Sequence, residues 1–365
     1  MFAGLTFLIL SGLVSILISP SIIDILYKFK IVRGRRYDDV IDRIHRRKDK
    51  IGTPMMGGII IILTVIIITL IFNWNKYTEP AIIVLLIGAL LGSIDDLMNI
   101  FGKKERKVYS LKHHAKLALI HKNKWKRIYL FLTIPWALYK SLFNSVGSRY
   151  GTGLYPHERI LVQIISGIVA SYFIFFKLGI HSIWLFSNHY LNIGLWIIPL
   201  ILIIIIATSN AVNISDGIDG LAAGVMLASF ISFFVIALQE GNESIAIICA
   251  TVSGALVTYL YFNIKPARIQ MGDIGTLGLG SLLAVISIML RKEILLIVIG
   301  GIFVIETLSV IVQKLYKRLF GKKILLMSPL HHHLEMLGWS EEKITARLWL
   351  FAFVLSILGI WLSML

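Results

Sequence analysis

Ten long apolar runs constrain this chain more than any other feature of its sequence. A helix needs ~20 predominantly apolar residues to cross the hydrocarbon core of a bilayer. The third and eighth runs are shorter than that, so tilt or burial among neighbouring helices must help them. The sequence therefore predicts an all-α integral membrane protein, a polytopic bundle of about ten transmembrane helices. The runs lie near residues 2–27, 55–73, 80–95, 159–178, 192–209, 219–238, 244–262, 275–290, 294–314 and 346–364.

The composition supports this class and excludes several others. Hydrophobic residues make up 57% of the chain and charged residues only 15%, more apolar sequence than a soluble core needs. The one cysteine, Cys249, lies inside an apolar run, which excludes a disulfide framework and a cysteine zinc site. The first run is too long for a signal peptide and lacks a basic leader, so we interpret it as a retained helix. No internal repeat is evident, and residues 1–365 are interpreted as one domain.

The distribution of positive charge predicts the orientation of the helices. The net charge is +16, and membrane-spanning runs interrupt the basic residues, which argues against nucleic-acid binding. By the positive-inside rule the lysine- and arginine-rich loops are cytoplasmic, so both termini face outward. Those loops, 28–54, 95–159, 263–275 and 314–347, hold all of the 36 lysines and arginines except Lys76, Lys177, Arg291 and Lys292.

The segment 103–150 stands apart, and we interpret it as a cytoplasmic or interfacial insertion. It contains the basic stretch 121–127 and then an apolar stretch that Pro135 and Lys140 interrupt. A single full crossing here would put the following loops on the wrong side of the membrane. We therefore predict an interfacial amphipathic helix or a re-entrant hairpin, with two additional spans as the alternative.

Polar residues that could take part in binding or catalysis lie on the predicted cytoplasmic loops. Asp95 and Asp96 are adjacent at the end of the third run, and neighbouring carboxylates tend to share a proton or a cation. Asp273 lies between glycines before the eighth run, where it could also act only as a helix cap. Asn263 precedes it by ten residues.

The stretch 210–224, NAVNISDGIDGLAAG, combines carboxylates, amides and glycines between two apolar runs. Its candidate site residues are Asn210, Asn213, Asp216 and Asp219. A carboxylate beside lipid usually marks a site, although aspartates and glycines are also ordinary turn residues.

Two further motifs complete the set. Lys48 and Lys50 precede the turn GTPMMGG, which contains Thr53, and a lysine there could hold a phosphate or simply anchor the helix. His331, His332 and His333 are consecutive, so they point ~100° apart on a helix and cannot all bind one metal. His331 and Glu335 are spaced to share a helix face.

Carboxylates and amides are hard oxygen ligands that suit Mg²⁺, which binds through one or two carboxylates and substrate phosphates. A cytoplasmic pocket of this composition at the membrane surface indicates phosphoryl chemistry in which one substrate is a lipid.

These motifs resemble those of the polyprenyl-phosphate N-acetylhexosamine-1-phosphate transferase superfamily, and most closely its phospho-N-acetylmuramoyl-pentapeptide transferase branch. The resemblance covers nearly the whole chain, and the segments that carry it are GTPMMGG, IDDLMN, NAVNISDGIDGLAAG, NIKPARIQMGDIGTLGLG and PLHHHLEMLGW. It implies a bacterial enzyme of the cytoplasmic (inner) membrane that joins UDP-MurNAc-pentapeptide to undecaprenyl phosphate, releases UMP and requires Mg²⁺. Related enzymes are often homodimers, although no residue here indicates an interface.

The resemblance also implies roles for single residues. Asp273 corresponds to a magnesium-binding aspartate, and Asp95 and Asp96 to a carboxylate pair, one of which is proposed to deprotonate the lipid phosphate. Asn213, Asp216 and Asp219, with Asn263 nearby, correspond to the family's nucleotide-side loop. Lys48 or Lys50 corresponds to a lysine that contacts the uridine. The loop that closes on the sugar-peptide corresponds to His331, His332 and His333.

Three positions depart from the family pattern. Asn99 stands where lysine is usual, and Gln270 stands where a phenylalanine usually stacks on uracil. A family lysine before the fourth span aligns either with Arg159 or with Lys116. These departures keep a UDP-GlcNAc-1-phosphate transferase open as an alternative. A secondary transporter with an aspartate relay is the alternative from another class, and it predicts inverted repeats, which the sequence lacks.

Overall fold

The computed structural model describes residues 2–34, 50–102, 111–146, 153–185 and 189–365, and side chains throughout these ranges except at 111–114 and 142–146. Helices dominate the described residues, and their bounds are α1 Phe2–Lys28, α2 Gly58–Phe72, α3 Thr78–Phe101, α4 Leu111–Ile120, α5 Lys124–Leu132, α6 Ile134–Val146, α7 Pro156–Ser171, α8 Ile197–Ser215, α9 Leu221–Gln239, α10 Glu243–Asn263, α11 Gly272–Met289, α12 Glu293–Ile299, α13 Gly301–Phe320, α14 Leu330–Met336 and α15 Glu341–Ser363. A π-helical turn, Tyr172–Lys177, extends α7, and a 3-10 turn, Gly194–Trp196, precedes α8.

Each of the ten predicted runs coincides with a helix, which confirms an all-α, polytopic membrane protein. Among the described residues, eight helical segments are long and apolar enough to cross a membrane. The second run forms the 15-residue helix α2, and the third forms a 24-residue helix rather than a short one. The count of ten and the outward termini stay predictions.

The ninth run is not the single straight helix that we predicted over 294–314. It is divided into α12 and α13, which meet at an angle of 80°. Gly300 and Gly301 lie at the break, and glycine permits a sharp change of direction at little steric cost. The ninth run is therefore a broken helix pair.

Helix α11 lies at the centre of the bundle, where almost all of its residues are buried. It packs closely against α3, α8 and α2. Small residues allow helix backbones to approach closely inside a membrane, and α11 carries four glycines in its first nine residues. The centre of the bundle therefore consists of backbones in direct contact, and it holds Asp273 in the first turn of α11.

Gly92 on α3 offers a test of this close packing. A Cβ atom at Gly92 would lie 2.1 Å from the backbone oxygen of Asp273, so neither backbone can accommodate it without moving. We expect Gly92→Ala to destabilise the protein by about 1–3 kcal/mol, as overpacked cores do, and to lower its melting temperature in detergent. Gly34→Ala is the control because no atom of the described residues lies within 4 Å of a Cβ there. Equal melting temperatures would contradict the packing.

The described part of the insertion forms three short helices of 10, 9 and 13 residues, α4, α5 and α6. Each is shorter than the ~20 residues that a crossing needs. Helix α6 is joined to the start of α7, because the hydroxyl of Tyr139 donates a hydrogen bond to the backbone oxygen of His157 at 2.9 Å. The location of the insertion at the membrane surface stays a prediction.

The structure also contains a small β-hairpin between α7 and α8, which the sequence did not predict. Strands β1, Ser182–Leu185, and β2, His189–Asn192, are antiparallel, with Ser182 opposite Asn192. Trp184 of β1 is buried, and the ammonium of Lys292 lies 4.0 Å from its ring centre. A cation over an aromatic face is favourable, so this contact holds the hairpin on the helical bundle.

Candidate active site

Four polar side chains from four helices meet at one end of the central helix. The guanidinium of Arg159, from the first turn of α7, contacts a carboxylate oxygen of Asp95 and lies 3.2 Å from Asp273 Oδ2. Asn213 of α8 donates a hydrogen bond to Asp273 Oδ1 at 2.7 Å. Asp95 is fully buried. Because a buried carboxylate needs compensating charge and hydrogen bonds, Arg159 offsets the burial of both carboxylates and Asn213 that of Asp273.

Asp95 has two further donors that fix its orientation. The backbone N–H of Leu154 donates to its Oδ1 at 2.6 Å, and the side-chain amide of Asn99 donates to its Oδ2 at 3.2 Å. Asn99 is the position where the family usually has lysine, so here an amide takes up a place beside the carboxylate without adding positive charge. Arg159 supplies that charge instead.

Asp96 is oriented differently from its neighbour. Its Oδ2 accepts the backbone N–H of Ile274 at 3.1 Å, so it lies at the positive N-terminal end of α11. Its Oδ1 is buried and has no hydrogen-bond partner among the described residues. A buried carboxylate oxygen left unpaired in this way is costly and is available to a cation or a proton.

A second cluster of buried charge lies between the loop after α8 and the start of α15. Lys50 Nζ is 2.8 Å from Asp219 Oδ1 and 2.8 Å from Glu341 Oε2, and all three side chains are at most 6% exposed. The backbone N–H of Ala267 donates to the other oxygen of Asp219 at 3.3 Å. The ammonium of Lys50 thus neutralises two carboxylates that could not otherwise be buried together.

We expect Lys50→Met to be strongly destabilising for this reason. Removing one partner of a buried ion pair typically costs 3–5 kcal/mol, because the remaining charge has no compensation, and here two carboxylates would remain. Thermal unfolding in detergent measures the effect, and Lys50→Arg, which keeps the charge, should retain most of the stability. If the Lys50→Met protein unfolds at the same temperature as the native protein, the cluster contributes nothing to thermal stability.

Backbone pairing connects this cluster to the start of α2. The N–H of Arg33 donates to Thr53 O and that of Met55 to Ile31 O, and the guanidinium of Arg33 donates to Gln270 Oε1 at 2.9 Å. Thr53 therefore joins this pairing through its backbone carbonyl oxygen. Gln270, where the family usually has a stacking phenylalanine, forms a polar contact instead.

Asn263 joins the loop after α8 to the loop before α11. Its side-chain oxygen accepts the N–H of Gly220 at 3.0 Å, and its amide donates to Ile269 O at 2.8 Å. Gly220 has a φ of +78°, a conformation that glycine adopts without strain. Asn263 thus fixes the turn that presents Asp216 and Asp219.

Asp216 lies between the two clusters, immediately after α8 ends. Burial, followed by the nearby Asp273 carboxylate, raises the pKa of Asp216 to about 7 against the opposing positive charges of Arg33 and Lys50. The group therefore exchanges a proton near neutral pH. The five polar motifs of the sequence converge on a single region around this aspartate.

The histidine motif contacts the same loop, at Gly217. His331 is fully buried, and its Nδ1 lies 3.0 Å from Glu306 Oε2. Its Nε2 is buried without a hydrogen-bond partner among the described atoms, and a Cβ at Gly217 would lie 2.1 Å from it. Glycine is required at 217 because the imidazole occupies the space of a side chain.

The other two histidines face different partners. His332 Nδ1 lies 2.7 Å from Glu335 Oε2, and His333 Nδ1 accepts the backbone N–H of Leu326 at 3.2 Å. His331 and Glu335 lie on the same seven-residue helix α14, but they have different partners. Glu306 of α13 is the acidic partner of His331, and Glu335 is that of His332.

Three predicted residues do not join these contacts. Asn210 donates to Gln163 Oε1 of α7 and to Ile206 O, so it joins two helices. Lys116 is exposed on α4, whereas Arg159 reaches the carboxylates, which favours the alignment that uses Arg159. Lys48 lies outside the described residues.

Sequence reasoning missed Glu306, Glu341 and Arg33. Glu306 was detectable, because it is the only acidic residue inside the ninth apolar run and an acid within a membrane span usually marks a site. Glu341 and Arg33 lie among many charged residues at the ends of helices, so only the tertiary contacts distinguish them.

The residues present fit a divalent cation. The described residues contain no group of three or more His, Cys, Asp and Glu side chains arranged to hold a metal by themselves. Mg²⁺ seldom requires such a cage, since it binds through one or two carboxylates, water and substrate phosphates. Asp273 and the unpaired oxygen of Asp96 are suitable oxygen donors, and Arg159 supplies positive charge at the same carboxylates.

The chain is similar to one family of transferases over nearly its whole length. Residues 150–291 match the family model described as Glycosyl transferase family 4. The chain is 33% identical to the phospho-N-acetylmuramoyl-pentapeptide-transferase of Geobacillus sp. (strain WCH70), over 98% of this chain and 96% of that protein. It is 36% identical to the protein of that name from Leptospira biflexa serovar Patoc, over 98% and 91% of the two chains, and 34% identical to that of Bacillus mycoides, over 99% and 96%.

Proposed function

The chain belongs to the phospho-N-acetylmuramoyl-pentapeptide transferases of glycosyl transferase family 4, and we propose the substrates, metal and residue roles with which it acts. The enzyme catalyses the step that forms lipid I, with a nucleotide-linked sugar-peptide as donor and a lipid as acceptor. We assign UDP-MurNAc-pentapeptide as the donor and undecaprenyl phosphate as the acceptor. This membership makes a transporter or a UDP-GlcNAc transferase unnecessary as an explanation.

The reaction is a phosphoryl transfer. An oxygen of the lipid phosphate forms a bond to the β-phosphorus of the donor, the bond from that phosphorus to the α–β bridging oxygen breaks, and UMP leaves with the bond's electron pair. Such reactions depend mainly on positioning and on neutralising charge. When bound, Mg²⁺ would neutralise the diphosphate and the leaving UMP, with Asp273 as its main protein ligand.

The buried carboxylate cluster supplies the remaining chemistry. Arg159 bridges Asp95 and Asp273, so its guanidinium holds negatively charged groups in fixed positions and can attract a substrate phosphate. Asp95 or Asp96 takes the proton of the lipid phosphate or orients it. Asp96 has the free buried oxygen that this role needs. A two-step route through an aspartyl phosphosugar is the alternative use of the same carboxylates.

The remaining residues hold the two ends of the donor. Lys50 is already paired with Asp219 and Glu341, which favours a role in positioning the loop that contains Asp216 rather than a direct phosphate contact. The paired Arg33 and Gln270 lie on the nucleoside side. His331 offers Nε2 beside Gly217, where it meets the sugar-phosphate, and His332 and His333 lie on the peptide side.

The location of the enzyme follows from its substrates. It is a multi-pass membrane protein, and we propose the bacterial cytoplasmic (inner) membrane with the site on the cytoplasmic face, where the soluble donor is available. The positive loops support this orientation. A homodimer stays a prediction.

The observation that carries the proposal is the convergence of Asp95, Asp96, Arg159 and Asp273 at the end of α11, on a chain with full-length muramoyl relatives. Release of UMP by the purified enzyme with undecaprenyl phosphate and Mg²⁺ tests it. We expect turnover with UDP-MurNAc-pentapeptide, none with UDP-GlcNAc, and loss of turnover on chelation by EDTA. Turnover with UDP-GlcNAc alone would overturn the donor assignment, and full activity in EDTA would overturn the metal.

A further inference from the structure

A polar contact joins α7 and α8 inside the bundle. Gln163 of α7 is only 3% exposed. Its Oε1 accepts a hydrogen bond from the side-chain amide of Asn210 at 3.0 Å, and its Nε2 donates one to Ser209 Oγ at 3.0 Å. Both helices belong to segments that are long and apolar enough to cross a membrane. Gln163 is therefore bound to α8 through both ends of its amide group.

Packing of these two helices does not require an amide. Further along the same pair, a Cβ at Gly167 of α7 would lie 2.8 Å from Leu202 Cγ of α8, so a small residue lets the helices approach closely there. A polar side chain inside a membrane span is costly unless it is paired, and such residues usually have a function. The amide of Gln163 adds what apolar contacts lack, because a hydrogen bond requires a particular distance and direction.

The contact lies one helical turn from the groups that act on Asp273. Arg159 precedes Gln163 by four residues on α7, and Asn213 follows Asn210 by three residues on α8. Residues at these spacings share one face of a helix. Helix α7 begins at the candidate active site and α8 ends there, so both members of the Gln163 contact lie about 5 Å further along their helices, away from the site.

The third helix of the site is fixed at the same level. A Cβ at Gly280 of α11 would lie 2.8 Å from Ser209 Cα, so the backbones of α8 and α11 are in close contact beside the hydrogen bond from Gln163. One turn nearer the site, Asn213 donates to Thr276 Oγ1 of α11 at 2.9 Å. Helix α8 is thereby held against α11, and Gln163 extends this fixed arrangement to α7.

We propose that Gln163 is a positioning residue for the reaction, whose hydrogen bonds to α8 hold Arg159 and Asn213 in register at the catalytic carboxylates. This role rests on the proposed function. Apolar burial is non-directional, so without the amide contact α7 can slide or rotate against α8 while the two helices stay packed. The guanidinium of Arg159 then moves relative to Asp95 and Asp273. A displacement of 1 Å in an active site can lower the rate by about 10²-fold.

Gln163→Leu removes the amide and keeps a side chain of similar size. The variant should fold, because Ser209 Oγ still donates to Ile205 O at 2.7 Å. The amide of Asn210 likewise still donates to Ile206 O at 2.7 Å.

The turnover number for UMP release by Gln163→Leu is expected to fall at least about tenfold. Its melting temperature should be close to native, and its Michaelis constant for the donor should stay within about twofold of the native value, since an interaction used in the transition state is weakened. A purely structural role predicts the reverse, a lower melting temperature with a native turnover number per folded enzyme. That result, or native values throughout, would overturn the proposal.

Thr258→Val provides the matched control. The hydroxyl of Thr258 on α10 donates to Gly12 O of α1 at 3.0 Å, so this substitution also removes a hydrogen bond between two spanning helices. Neither helix carries Arg159, Asn213 or Asp273, and we expect native turnover. An equal loss of turnover in both variants would show that any hydrogen bond between spanning helices has this effect, against the proposal.

An exchange of side-chain lengths tests the contact itself. Gln163→Asn shortens the amide side chain by one methylene and should lower the turnover number as Gln163→Leu does. Addition of Asn210→Gln lengthens the facing side chain by the same amount, so the double variant should recover most of the turnover. A double variant no more active than Gln163→Asn would overturn the contact between the two amides as the cause.

Arg159→Ala tests whether Gln163 acts through Arg159. Substitutions that act through one shared group are not additive, so Gln163→Leu should change turnover less than about twofold in the Arg159→Ala background. Multiplication of the two effects would overturn the positioning role and leave the transferase function intact. Absence of UMP release by the native enzyme would instead count against the transferase function.

Discussion

Asn in place of Asp273 is expected to reduce UMP release by at least about 10³-fold, the largest effect of any single substitution at this site. The carboxylate faces Arg159 at 3.2 Å and accepts a hydrogen bond from Asn213 at 2.7 Å. An amide keeps the shape of the side chain and removes its charge, so the proposed metal loses its main ligand and Arg159 loses a counterion. Loss of one group that stabilises charge in a transition state typically costs 10²–10³ in rate, and here the metal is weakened as well.

The measurement is the rate of UMP release with both substrates present at saturating Mg²⁺, compared with the native enzyme and with Asp24→Asn. Asp24 is exposed on α1, so its substitution makes the same chemical change away from the site and should leave turnover native. A melting temperature close to native would show that Asp273→Asn acts on chemistry rather than folding. Native turnover by Asp273→Asn would exclude both the direct and the two-step version of the mechanism.

Much of the fold was predictable from the sequence because membrane spans depend on local composition. The ten apolar runs coincide with helices, since length and hydropathy alone determine whether a segment can cross a bilayer. The break at Gly300 and the length of α3 were not predictable in the same way. Asp95 and Asp96 lie inside α3 rather than at its end, because the neighbouring helices α7 and α11 supply charge and hydrogen bonds that a lone helix lacks.

The site was predictable as a set of motifs but not as a set of contacts. The aspartates and histidines were identified from residue type, position relative to the apolar runs and family resemblance. Which charges neutralise each other depends on tertiary packing, so the pairing of Lys50 with Glu341 and the bridging position of Arg159 became visible only in the structure. The spacing of four residues between His331 and Glu335 likewise gave a shared helix face but not the partner of His331, which is Glu306 of another helix.

Glutamine in place of Glu306 is expected to lower the turnover number by about 10²-fold with little change in thermal stability. The carboxylate of Glu306 accepts the backbone N–H of His331 at 3.2 Å and lies 3.0 Å from Nδ1. It therefore favours the tautomer with the proton on Nδ1 and leaves Nε2, beside Gly217, as an acceptor. Glutamine has one acceptor oxygen and a donor amide. If the oxygen keeps the backbone N–H, the amide faces Nδ1, which favours the proton on Nε2 and reverses the role of that atom.

A purely structural role for Glu306 predicts a different result from this reversal. A structural role would lower the melting temperature and reduce the amount of active enzyme, with the turnover number per folded enzyme and the Michaelis constant unchanged. The tautomer argument predicts a fully folded enzyme whose turnover number is reduced, because Nε2 of His331 no longer acts as an acceptor. Glu243→Gln, an equivalent change at an exposed position on α10, should be native in melting temperature, turnover number and Michaelis constant. Native turnover in Glu306→Gln would show that the buried His331–Glu306 pair has no part in the reaction.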